Sequence, residues 1–383
     1  MALLVIIYLS FISLGLPDGV LGSAWPVMHV QLNLPLWSAG VIALVTSGGT
    51  VVSALSSAKV IRRYGTGKVT AVSVLMTAVS LLGYSFAPNL LTLLLLAVPL
   101  GLGAGSVDSA LNNYVALHYK ARHMSWLHSF WGLGASGGPA IISLVFTLGY
   151  GYRQGYRAIS VAQFVLVALL FLSLPFWQGK KSENQGKEAK ASVNPLSLQG
   201  VPFALLTFFF YCAMESSTGL WASTYLVQVK GIGVEQAALW GSLFFLGITV
   251  GRMASGFITF RVSNNTMILG GLTVCFVALL LFFSPFVHLS GIALVTFGLG
   301  CAPIFPCMIH ETPRRFGAEN SQAVIGLQMA SAYVGSMIMP PLFGLMASTL
   351  GLEWMPLVQL VFTLAMVLCV TKLIRIAKQK AKR

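Results

Sequence analysis

The sequence predicts an all-α integral membrane protein, with twelve transmembrane helices arranged as two pseudo-symmetric six-helix bundles. Three observations lead there. Hydrophobic residues make up 56% of the chain and charged residues 8%, with a mean hydropathy of +0.84, which leaves too little polar surface for a water-soluble globule. Twelve apolar stretches, each of about 18 residues or more and so long enough to cross a bilayer, are centred near residues 15, 47, 78, 104, 136, 167, 212, 246, 274, 300, 334 and 363. A single long polar segment, residues 178–197, divides them six and six, and the two sides repeat: Asp18 and Glu215 lie 197 positions apart, as do the Gly-Leu-Gly runs at 101–103 and 298–300.

The expected organisation is therefore a bundle over residues 1–177, a cytoplasmic linker over 178–197 and a bundle over 198–383. In the first span, Gly15, Asp18, Gly22 and Trp25 recur at steps of three or four and share one helical face. The first 24 residues resemble a secretory signal peptide ending at Gly22-Ser23-Ala24. No basic segment precedes the apolar core, however, and Pro17-Asp18 interrupts it, so a retained span is expected. After the second span, Ala58-x-x-x-Arg62-Arg63 is echoed by Gly256-x-x-x-Phe260-Arg261 after the eighth. The fourth span repeats the small-residue and acid stripe with Gly101, Gly105, Asp108 and Asn112. The fifth opens on Trp126, His128 and Trp131 and runs through glycines to Pro139, which with Gly134 matches Gly335 and Pro340 of the eleventh. The seventh carries Tyr211, Glu215, Gly219, Trp221 and Tyr225, and the tenth carries Ala302-Pro303-Ile304-Phe305-Pro306. The sixth and eleventh spans have the least defined edges.

The formal charge of +14 is distributed by side of the membrane, not by surface patch. All basic residues except Arg153, Arg157 and Lys230, 20 of the 23, fall on even-numbered connections or the C-terminal tail; Arg252 is placed with Arg261 on the connection after the eighth span. By the positive-inside rule both termini are cytoplasmic, in the cell (inner) membrane. Nothing interleaves basic and aromatic residues as a nucleic-acid-binding face would. The five cysteines lie within spans and lack Cys-x-x-Cys spacing, so they read as small core hydrophobes.

Of only nine acidic residues, Asp18, Asp108 and Glu215 interrupt long apolar runs. A central intramembrane charge costs ~2.5–3.5 kcal/mol on insertion scales, so such residues face a cavity, pair, or take up a proton. Helix packing explains the glycines of the two stripes, but asparagine or serine would join helices without a buried charge. Asp108 is therefore read as a proton-coupling residue, with Asn112 one turn away read as substrate-binding, and Asp18 as both proton-coupling and substrate-binding. Pro17 also admits a local helix break at that point. Trp25 and Trp221 lie within two or three turns of carboxylates, where indole faces pack on the apolar face of a sugar ring. Glu215, Trp131, Gln328 and Tyr333 are expected to line the same space. His128 is read as substrate-lining, an ordinary hydrogen-bonding histidine being the alternative. Pro303 and Pro306 mark a bent or unwound segment at a gate.

The set Gly-x-Pro-Asp-Gly, Gly-x-x-Asp-x-x-x-Asn, Tyr-x-x-x-Glu-x-x-x-Gly-x-Trp-x-x-x-Tyr and Ala-Pro-Ile-Phe-Pro resembles the fucose:proton symporter family of the major facilitator superfamily, which includes glucose/galactose permeases. The resemblance covers nearly the whole chain. It implies that Asp18 and Asp108 occupy the positions of the family's essential acids and that Glu215 sits where relatives carry Glu or Gln. It also implies a midplane site between two rocking bundles. Two departures stand out: the fourth-helix acid is Asp, not Glu, and the Gly-x-x-x-Asp-Arg-x-Gly loop reads Ala58-x-x-x-Arg62-Arg63-Tyr64-Gly65.

The expected function is proton-coupled symport of a small neutral polar solute, a sugar, by alternating access; a drug/proton antiporter exporting amphipathic cations is the alternative. No enzyme is expected. His310-Glu311-Thr312-Pro313-Arg314 lacks the second histidine of a zinc protease helix, and Val107 precedes Asp108 where an intramembrane aspartyl protease has Gly-x-Gly. No cofactor or metal is expected, only an ion gradient, with sodium left open beside the proton. The expected partners are a small-molecule solute and the lipid bilayer, without nucleic acid, and the chain is expected to act as a monomer.

Overall fold

The computed structural model describes residues 2–119, 121–177, 195–259 and 261–382. Among the described residues, fourteen α-helices make up twelve spans, two of which are broken partway along. In the first half these are α1 (Ala2–Gly15) with α2 (Val20–Gln31), α3 (Ser38–Tyr64), α4 (Thr66–Tyr84), α5 (Leu90–His118), α6 (Ala121–Thr147) and α7 (Tyr152–Ser173). The second half holds α8 (Val201–Gln228), α9 (Val234–Ile258), α10 (Asn264–Phe282), α11 (His288–Cys301) with α12 (Ile304–Phe316), α13 (Ala318–Leu350) and α14 (Met355–Lys382). Twelve segments are long and apolar enough to cross a membrane, the sixth running Tyr152–Trp177 and the eleventh Glu319–Leu350. Most of the linker, residues 178–194, lies outside the described residues, and Pro195–Ser197 form a short 3-10 turn ahead of α8.

The sequence repeat is a repeat of packing. Helix α1 packs on α6 as α8 packs on α13, α3 on α5 as α9 on α11, and α4 on α7 as α10 on α14. Glycines at matching positions make the matching approaches: a Cβ on Gly101 would strike the Thr46 carbonyl and one on Gly298 the Phe244 carbonyl. Gly134 likewise abuts the Ile12 carbonyl, and Gly335 the Phe209 carbonyl. With no hydrophobic drive between helices already in lipid, such close backbone approaches supply the van der Waals contact that holds each half together.

The halves meet through α6 on α9, α3 on α13 and α2 on α8. Ser242 Oγ donates to the Ser136 carbonyl and Ser143 Oγ to the Glu235 carbonyl, both at 2.7 Å, while Gly22 lies against the Gly219 and Leu220 carbonyls. These contacts close the end of the molecule opposite the termini. Toward the termini the helices diverge: Gly40 of α3 abuts Pro341 of α13, whereas nothing stands within 4 Å of a Cβ built on Gly326 of α13. At that same end Glu311, buried at 5% exposure, accepts from Asn264 at 2.9 Å and pairs with Arg314 and Arg315 at 3.7 and 4.0 Å. The His310-Glu311 run thus clamps α12 to the start of α10.

Candidate functional site

Pro17 has no N–H and its ring crowds the carbonyl four residues back, and the first span breaks there, whereas α5 and α6 continue through Pro99 and Pro139. Helix α1 ends at Gly15, the Asp18 amide falls back on the Gly15 carbonyl (3.0 Å), and α2 resumes where Ser23 N–H meets the Gly19 carbonyl (3.1 Å). The break turns the Asp18 carboxylate into a cavity of about 410 Å³, within the ~300–1,000 Å³ usual for small-molecule sites. Seven spans of the first and second halves supply polar lining to it, among them Thr46, Thr50, Thr77, Trp131, Glu215 and Tyr333.

Asp18 Oδ2 accepts from Trp131 Nε1 at 2.7 Å. The Trp131 ring carries the Arg252 guanidinium over its face, 5.3 Å from the centroid, a cation–π contact across the interface between α6 and α9. Arg252 Nη2 pairs with Glu215 Oε1 at 3.5 Å and donates to the Tyr211 hydroxyl at 3.4 Å. Asp18, Trp131, Arg252 and Glu215 therefore form one connected set that runs from the first half to the second. Asp108 lies on α5, where Asn112 Nδ2 donates to its Oδ1 at 2.8 Å. Neither is in the cavity wall, which Leu100, Ala104 and Val107 of the same helix supply, so Asn112, expected to bind solute, instead holds Asp108, which is within electrostatic reach of Asp18 and of Tyr333. Among the described residues, no three His, Cys, Asp or Glu side chains gather as a metal site.

The family decides what such a cavity is for. A sequence model of the Major Facilitator Superfamily matches residues 7–327 and again 203–383. The chain belongs to that superfamily. Membership makes it a transporter and not an enzyme. Among similar proteins, the glucose/mannose transporter GlcP of Bacillus subtilis is 24% identical over 358 residues, covering 88% of this chain and 86% of that one. Bypass of stop codon protein 6 of Saccharomyces cerevisiae is 23% identical over 391 residues, covering 91% and 78%. The nucleoside transporter NupG shares the fold with a TM-score of 0.77 at 14% identity, covering 98% of this chain and 99% of that one. The D-xylose-proton symporter gives 0.75 at 13% identity, covering 97% and 96%.

Within this major facilitator fold, Asp18, Trp131, Glu215 and Tyr333 come together as the sequence predicts, and several expected residues do not. Trp25 is fully buried, its Nε1 donating to the Leu36 carbonyl at 3.1 Å. Trp221 is buried likewise, donating to the Pro340 carbonyl at 2.9 Å beneath Gly344. Both indoles hold the closed end together, so neither offers a face to a solute. Gln328 is buried and accepts from Thr312 Oγ1 at 3.1 Å between α13 and α12, away from the cavity. His128 packs edge-on to Phe11, 5.9 Å between centroids, one turn from Trp131 toward the termini and outside the cavity wall. Pro303 does mark a break, between α11 and α12, but Pro306 is the third residue of α12, where a free N–H is expected anyway and its absence breaks nothing.

Arg252 is the main residue missed. Counted as a loop cation, it instead lies inside the span Val234–Ile258. Its helical period was the available signal: Phe245, Ile248 and Thr249, seven, four and three residues earlier on the same face, are all buried.

Proposed function

We propose that this transporter carries a small neutral polyhydroxylated solute, a sugar, together with a proton. The observation behind the reading is the charge balance of the cavity. Glu215 is matched by Arg252, whereas Asp18 and Asp108 are held by neutral groups, the Trp131 indole and the Asn112 amide. Carboxylates taken from water without a cation are neutralised by protons, and an amide, carrying both donor and acceptor, serves either protonation form of Asp108. Asp108 is accordingly the proton carrier, and Asp18, Trp131, Glu215 and Tyr333 meet the solute. The GlcP relative, a glucose/mannose transporter by name, supports the sugar. Both termini are on the cytoplasmic side of the cell membrane, so the diverging end faces inward. A membrane potential supplies ~2.3 kcal/mol per charge per 100 mV to drive the proton and, through it, the solute.

The test is uptake into proteoliposomes under an imposed pH gradient, inside alkaline, across hexoses, deoxyhexoses and cationic dyes. Accumulation of a hexose that collapses with a protonophore is expected. Dye efflux without hexose uptake would instead establish the antiporter.

A further inference from the structure

We propose that the closed end of the cavity is a second solute subsite, in which the hydroxyls of Tyr84 and Tyr156 donate hydrogen bonds to oxygen atoms of the bound solute. The inference rests on the reading of the cavity as a site for a polyhydroxylated solute, and it gives that solute an orientation.

Tyr84 ends α4 and Tyr156 sits in the first turns of α7, both at the end sealed by the contacts between halves. Each side chain is buried at 1% exposure, each lines the cavity, and neither hydroxyl has a hydrogen-bond partner. A buried hydroxyl left unpaired costs about 1–3 kcal/mol; other buried hydroxyls here share that state, Tyr152 among them, but Tyr84 and Tyr156 are the phenols of that group that line the cavity, where a solute can pair them. Helix propensity does not call for them, and phenylalanine would fill the same space. Thr46, the polar neighbour of Tyr84, gives its own proton to the Ile42 carbonyl at 3.0 Å and keeps a lone pair within reach of the Tyr84 hydroxyl, so Tyr156 is the phenol with no protein acceptor at hand. The rings are braced edge to face, Tyr84 on Tyr156 at 5.5 Å and Tyr156 on Tyr152 at 6.2 Å, so the donors are held in place before any solute arrives. Leu21, Ile42, Leu81 and Leu100 surround them with apolar surface.

The donor and acceptor chemistry differs along the cavity. Glu215, ionised beside Arg252, only accepts, whereas the phenols donate. A solute that satisfies both ends presents hydroxyl protons toward the middle of the membrane and oxygen lone pairs, flanked by C–H surface, toward the closed end. A hexose ring does both. An amphipathic cation without oxygen atoms would use only their ring faces.

The experiment uses the full-length protein in proteoliposomes, with Tyr84→Phe and Tyr156→Phe measured against D-glucose and its monodeoxy analogues. At least one variant should raise the KM for glucose by about 3- to 10-fold, the worth of one neutral hydrogen bond. In that variant, the penalty that the unmodified protein imposes on one particular monodeoxyglucose should disappear. Thermal stability should hold or rise, because an unpaired hydroxyl has been removed. Unchanged KM and unchanged discrimination among deoxy analogues in both variants would overturn the subsite while leaving the sugar reading standing, as would a loss of stability alone. Absence of hexose uptake by the unmodified protein would refute the sugar reading and the subsite together.

Discussion

Replacing Arg252 by glutamine separates an arginine in the loop from an arginine in the transport path. At 3.5 Å from Glu215 the gross attraction is about 4–5 kcal/mol at an effective dielectric of ~20, most of it offset by desolvation of both groups. Removing one partner of a fully buried pair costs about 3–5 kcal/mol. Here the side chains keep 22% and 14% exposure, which lowers the expected loss for Arg252→Gln to on the order of 1–3 kcal/mol. Glu215→Gln should lose a similar amount, because it leaves a guanidinium that cannot shed its charge but keeps the Tyr211 hydroxyl and the Trp131 ring. The double variant should recover part of the loss, giving a coupling energy above about 1 kcal/mol, where independent sites add within ~0.3–0.5 kcal/mol. Unfolding in mixed micelles titrated with a denaturing detergent, followed by tryptophan fluorescence, measures all four corners of the cycle. Arg261→Gln, on the exposed residue beyond α9, serves as the control and should stay within ±0.5 kcal/mol. Additive losses, or an Arg252→Gln no worse than the control, would refute the pair and return Arg252 to the membrane surface.

Three further outcomes are expected. In proteoliposomes Asp108→Asn, which mimics permanent protonation, should abolish uphill uptake driven by a pH gradient yet retain counterflow exchange; continued accumulation would move the proton to Asp18. Cysteines placed at Arg62 and at Ser348, both exposed and at opposite ends of the fold, should react with a membrane-impermeant maleimide from opposite faces of the membrane, Arg62 from the cytoplasm. Gly48→Ala, with open space around its Cβ, should be neutral or stabilising by up to about 1 kcal/mol. Gly101→Ala, driven into the Thr46 carbonyl, should be clearly destabilising in the same unfolding assay.

The fold was legible because lipid imposes it: length and apolarity define each span, and a repeat of glycines and acids at constant offset shows up in the one-dimensional chain. The presence of carboxylates at mid-membrane was legible for the same reason, since few other residues are so conspicuous there. What could not be read is which way a tryptophan points. Trp25 and Trp221 stand within two turns of an acid in sequence and Trp131 is 113 residues from Asp18, yet only Trp131 reaches a carboxylate, because the other two donate to carbonyls of neighbouring elements. Those carbonyls belong to Leu36 and Pro340, and the pairing with Pro340 spans both ends of the second half. Arg252 was misassigned through the opposite habit, in which a cation near the end of an apolar run is counted as a boundary although its helical face is buried.

The repeat also shows where symmetry stops. Backbone approaches recur in both halves, Gly101 with Gly298 and Gly134 with Gly335, but the helix breaks do not. The first half breaks at Asp18, in its first span, whereas the matching helix α8 runs unbroken through Glu215, and the second half breaks at Pro303 in the span that matches α5. A carboxylate at a break can turn with little resistance, because the hydrogen-bond ladder around it is already interrupted; one in mid-helix is held by its own ladder and, here, by Arg252. The two acids at equivalent positions are thus suited to different tasks. On the proposed reading, Asp18 would follow the solute as the halves rock, while Glu215 would stay fixed as the surface against which the solute is oriented.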